Sequence, residues 1–162
     1  NMDSMEIAAD TTENEESGDQ SLESQNIFTL LGVEDGEDEE KEAFLDELQQ
    51  VVWEDFIEND VQVLLNEAEY GELTKITEDT TLSNEDMQEK ALIFLEGIIP
   101  NLEEVLLDKA LDLKREMVME RVAGMKEFYA GQDQQLEVIS RAEQQFAQDQ
   151  WASGADTLNT LS

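Results

Sequence analysis

Large apolar residues recur along this chain three and four positions apart, the spacing that lays them on one face of a helix. Leu45, Leu48, Val52 and Phe56 form such a stripe, and predict a helix over about 39–59. Phe44 and Val51 widen that stripe, while Trp53 and Ile57 lie on its flank. Asp55 falls inside the apolar arc and is expected at the edge of the core or as a cap. Ahead of this helix, the apolar cluster at 27–33 is stopped by Gly32 and reads as one or two docked helical turns. After it, 61–65 reads as a short apolar connector. Asn66 followed by Glu69 then has the form of a capping box, in which the two residues satisfy each other's open backbone donors. A helix over about 67–76 follows, with Tyr70 and Leu73 as its core contacts. Ser83 and Asp86 open the next helix, which runs through Ala91, Leu92, Phe94 and Leu95 to about Ile98. Pro100 ends it, because proline disfavours helix in the residue before it.

Asn101 and Glu104 repeat the capping pattern, and the longest helix is expected over about 102–129. It carries two apolar stripes. Leu102, Leu106, Ala110, Leu113, Met117 and Phe128 make one; Leu107, Leu111, Val118, Val122, Met125 and Tyr129 make the other. An arc this wide exceeds what a helix on the surface of a domain needs, so it predicts contact with two layers of the chain, or with one layer and a partner. Gly131 is placed to break the chain before a last helix over about 132–151, whose stripe is Leu136, Ile139, Ala142, Phe146 and Trp151. Residues 153–162 read as a frayed tail, and residues 1–26, rich in acids, Ser, Thr, Asn and Gln, as a low-complexity acidic tail that cannot offset its ordering entropy by burial. Neither strand alternation nor an internal repeat is evident. The fold expected is all-α: a compact array or bundle of about five helices over 27–130, with the C-terminal helix and tail at 131–162.

Charge narrows the function classes. The chain has 42 acids against 9 bases, a net charge of −33. Residues 1–40 hold 14 acids and no base. Such a surface repels nucleic acid and anionic lipid, and suits a basic protein. With no cysteine and no histidine, disulfides, thiolate sites, most zinc sites and histidine-based triads are excluded. No apolar run approaches the length of a membrane span, and no secretory signal pattern opens the sequence, so a soluble cytoplasmic protein is expected. Carboxylates are too abundant for any pair to stand out as an acid–base site. No stretch fits a calcium-binding loop, and no glycine-rich turn carries the lysine of a phosphate loop. No cofactor, metal site or enzymatic activity is therefore expected.

The phrases Leu30-Leu31-Gly32-Val33, Phe44-Leu45-Asp46-Glu47-Leu48, Asn66-Glu67-Ala68-Glu69-Tyr70 and Ile98-Ile99-Pro100-Asn101-Leu102-Glu103 occur in this order. In this they resemble a group of small acidic helical bacterial proteins, a domain of unknown function, over roughly residues 27–115. The resemblance implies a helical fold and transfers no activity and no catalytic residue.

The remaining signal is for protein interaction. Met117, Met119 and Met125 lie on the long helix, and methionine adapts readily to helical partners. The residues expected to bind a partner, either a second copy or another helical protein, are Leu107, Leu111, Val118, Val122, Met125, Tyr129, Phe146 and Trp151. The alternative is an anionic decoy or chaperone-like protein that holds a basic partner through the acidic tail and the 39–59 helix.

Overall fold

The structure is a computed structural model and describes residues 19–162. For residues 1–18 the expectation of a low-complexity acidic tail lies outside the described residues. Helices α1 (Ile27–Leu31), α2 (Asp38–Asp55), α3 (Val61–Leu64), α4 (Glu67–Thr77), α5 (Asn84–Ile98), α6 (Leu102–Phe128), α7 (Asp133–Ala147) and α8 (Trp151–Asn159) follow one another, with a π-helical turn at Phe56–Asp60 between α2 and α3. The fold of the described residues is all-helical, and no strand occurs among them. The helices outnumber the five expected, because α1, α3 and α8 were read as docked turns, connector and tail.

Two hydrophobic cores share α2 and α6. The first gathers Val52, Trp53, Phe56, Val61, Leu73, Leu92, Leu95, Leu102 and Leu106. The second gathers Ile27, Leu30, Val118, Val122, Ile139, Phe146, Trp151 and Leu158, with Phe44, Leu45 and Leu48 packed against it. The N-terminal half of α2 meets the second core and its C-terminal half the first. For α6 the order is reversed, so the two helices run antiparallel along both cores. With 27 residues, α6 is about 40 Å long, which is why one helix serves two cores. Its double stripe has found two layers of its own chain.

The π turn follows from residue spacing. Phe56 and Val61 are both fully buried yet five positions apart, one more than an α-helical turn allows on one face. Widening the turn brings both inward, and the Val61 N–H donates to the Phe56 carbonyl. The expected capping box at α4 is present in both directions: Asn66 Oδ1 accepts from the Glu69 N–H at 2.8 Å, and the Asn66 N–H donates to Glu69 Oε1 at 3.0 Å. Ser83 caps α5 through the Asp86 N–H at 3.1 Å. Asn101 departs from its expectation. Its backbone (φ −110°, ψ 33°) is not in the extended form usual for a capping residue, and its side chain makes no capping hydrogen bond. Gly32 and Gly131 stop α1 and the α6 turn in the left-handed conformation, at φ 73° and 83°.

Both ends of the described chain correct the sequence reading. Residues 153–162 are not a frayed tail, since α8 buries Gly154, Ala155 and Leu158. Residues 19–26 are not a free tail either. Leu22, Ser24 and Gln25 are buried, and Gln25 donates through Nε2 to the carbonyls of Asp19 at 2.7 Å and Ser21 at 2.9 Å. The two ends hold each other. The open N–H groups of the first turn of α8, on Trp151 and Ser153, donate to the Gln20 carbonyl at 2.9 Å and to Gln20 Oε1 at 3.0 Å.

Candidate docking groove at the end of the long helix

The eight residues expected to bind a partner divide by burial. Val118, Val122, Phe146 and Trp151 are buried in the second core, at 0%, 3%, 3% and 3% exposure. Their expected role as an outward face is corrected: α1, α7 and α8 already cover them. Leu107 and Leu111 are half-buried on α6, Leu111 against the second core. Met125 and Tyr129 are also half-buried, and these two reach an open groove. Two further expectations fail in the opposite sense. Tyr70 is 41% exposed and not a core contact, and Phe128 is 75% exposed and leaves the stripe assigned to it.

The groove holds about 380 Å³ and is lined by Leu31, Arg121, Gly124, Met125, Phe128, Tyr129, Leu161 and Ser162. Its floor comes from three helices. Leu31 ends α1, Leu161 and Ser162 follow α8, and the rest lie on the last two turns of α6 or just beyond. The Tyr129 hydroxyl donates to the Leu161 carbonyl at 3.0 Å, which fixes the ring as one wall. Phe128 meets that ring edge to face, with centroids 4.9 Å apart, and otherwise stands in solvent at the rim.

Arg121 closes the other side. Its Nη1 donates to the Leu30 carbonyl at 2.8 Å and its Nη2 to Ser162 Oγ at 3.3 Å. The guanidinium thereby caps the C-terminus of α1, where a cation is favoured. It lies so close to Gly32 that a Cβ there would sit 2.5 Å from Nη2. Asn159 donates to the Thr29 carbonyl at 3.0 Å, and its buried Oδ1, near the guanidinium, has no hydrogen-bond partner. Burial pushes the Arg121 pKa down from the usual arginine value, although an arginine remains charged in proteins. In a chain with 42 acids, no carboxylate among the described residues lies within ion-pair distance of it.

A larger groove, of about 580 Å³, runs between α2 and α6 past Val51, Asp55, Lys109, Leu113 and Arg115. Both of its bases are already paired. Lys109 Nζ lies 2.5 Å from Asp55 and 3.2 Å from Asp60, and Arg115 lies 3.0 Å from Asp112. The Lys109 ammonium and the Asn59 amide hold the Asp55 carboxyl below the usual aspartate range against a smaller opposing effect of burial. Burial pulls Lys109 down, but its hydrogen bonds to Asp55 and Asp60 outweigh this and leave it above the usual lysine value. The Asp55 expectation is met: the carboxylate sits at the core edge and binds a cation. The wide apolar groove is therefore a structural seam, and the smaller one carries the open aromatic.

Among the described residues no group of three acidic side chains is placed to hold a metal ion, and no helix is long and apolar enough to cross a membrane. No protein-family model, curated protein or solved structure matches this chain, consistent with an uncharacterised family. Of the docking groove, the sequence reading identified Met125 and Tyr129. It missed Arg121, whose signal was a base with no acid three or four residues away on the same face, and it assigned Phe128 to the wrong side.

Proposed function

We propose that this is a non-catalytic helical interaction protein, acting in the cytoplasm, which docks a second copy or another helical protein through the groove at the C-terminal end of α6. The observation that carries this reading is Phe128, 75% exposed at the rim of a groove lined by Leu31, Met125, Tyr129 and Leu161. Phenylalanine is a common anchor at docking surfaces, because its burial removes a large apolar area from water at little entropic cost. The adaptable thioether of Met125 suits a wall that closes around such a ligand. The test is a photo-reactive phenylalanine analogue placed at position 128 in cells. A discrete crosslinked product is expected there. The same analogue at Ile93, exposed to 62% on α5, serves as the control and is expected to give none. No product at 128, or equal products at both positions, would overturn the reading.

A second reading, a decoy or chaperone-like protein for a basic partner, is favoured by where the bases go. Lys41, Lys75, Lys109, Lys114, Arg115, Arg121 and Lys126, seven of the nine, donate to acceptors within the chain. Few cations are left to neutralise the exposed acids at the start of α2. Binding of this kind collapses with salt, whereas apolar docking survives it. Loss of a captured basic protein on raising the salt, with no effect of Phe128→Ser, would select this reading over the first.

A further inference from the structure

The end of α6 is complementary to itself. Arg121, Gly124, Met125 and Phe128 are three and four positions apart and so share one helical face. Gly124 lies midway, and a Cβ added to it would meet nothing within 4 Å, so another helix can approach the backbone there. On either side of Gly124 the face carries an arginine without a carboxylate and an exposed aromatic ring. Glu127, next to Phe128 in sequence and about 100° round the helix from it, is exposed, and no base among the described residues lies within ion-pair distance of it.

From this placement we infer that the occupant of the groove is a second copy of the chain, crossing antiparallel near Gly124 about a twofold axis. This rests on the docking reading above and names its partner. An antiparallel crossing centred between positions 124 and 125 sets residue 121 of one copy opposite residue 128 of the other. Arg121 then faces the partner copy's ring, with the Glu127 carboxylate about 100° further round that helix, at the margin of the contact. A guanidinium stacks well on a phenyl face and pairs well with a carboxylate, so each copy supplies what the other lacks. The twofold axis forms both contacts twice from one pair of surfaces, as a closed dimer requires. The net charge of −33 on each copy opposes the approach at long range. Salt screens that repulsion more than it screens the close contacts, so the dimer strengthens with ionic strength.

The test is light scattering coupled to size exclusion on the full chain, from about 1 μM to about 1 mM. The wild-type mass is expected to rise from 18.4 kDa toward twice that value, and to do so at lower concentration in about 0.5 M salt than in about 0.02 M. Phe128→Ser and Glu127→Lys alter exposed positions, so both keep the fold; each is expected to weaken the dimer at least about tenfold, and Ile93→Ser to leave it unchanged. A monomer throughout the range, or a dimer that Phe128→Ser leaves intact, overturns the inference. If the chain stays monomeric while position 128 still crosslinks to a different protein, the twofold dimer fails and the docking reading stands.

Discussion

At Gly154 the absence of a side chain is what lets α8 pack. A Cβ there would lie 2.3 Å from the Phe146 ring, which stacks on Trp151 with centroids 4.9 Å apart. Gly154→Ala is expected to cost about 1–3 kcal/mol, the range for overpacking a filled core, as read by urea denaturation. Pairing it with Phe146→Leu should return part of that loss. Gly32 combines two demands, a φ of 73° and a guanidinium against its backbone. Gly32 was legible as a stop, but Gly154 was opaque in the sequence for a physical reason. Apolar periodicity registers large side chains, and the stretch Ala152-Ser153-Gly154-Ala155 packs by being small. Gln20 was equally unreadable, since its role is to satisfy helix donors 131 residues away or more.

At the scale of elements, caps and stripes were legible wherever the information is local. Asn66 and Glu69 announce α4 within four residues, and Asn66→Ala is expected to cost about 1 kcal/mol, seen as faster hydrogen exchange in the first turn of that helix. Leu45, Leu48, Val52 and Phe56 marked α2, but the π turn that follows was not legible. Nothing local distinguishes Phe56 and Val61 from a helix and a connector; only the core they both enter does so. That turn is pinned to α6 by Lys109, which binds Asp55 just before it and Asp60 at its end. The pH dependence follows. The folded Asp55 pKa lies below 3.8, so its stabilisation is fully present above the unfolded value and lost as the pH falls through the lowered folded one. The folded Lys109 pKa lies above 10.5, so its share is fully present below that value and lost as the pH rises through the raised one. Asp55→Asn should therefore flatten the acid limb of the stability curve below about pH 4, at a cost at neutral pH of at most about 1 kcal/mol, since half of that carboxylate is in water.

For the whole molecule, the width of the apolar arc on α6 was read correctly as a demand for two layers. What one sequence could not decide was whether the second layer belongs to this chain. Both do: one core takes Leu102 and Leu106, the other takes Val118 and Val122, and the antiparallel α2 lies along both. The helix runs out of its own chain only in its last turns. There the final large residue of the first stripe, Phe128, faces water. The proposed interaction surface thus lies not along a stripe but where the stripe outlasts the core.

The contrast between positions 122 and 128 tests this most directly. Val122→Asp and Phe128→Asp place the same charge six residues apart on one helix. Thermal unfolding followed by circular dichroism is expected to show Val122→Asp without a cooperative transition, because an unpaired carboxylate cannot be held in the second core. Phe128→Asp is expected to melt as the wild type does when both are monomeric. A folded, cooperative Val122→Asp protein would place that residue on a surface and contradict the account; so would a Phe128→Asp chain that fails to fold.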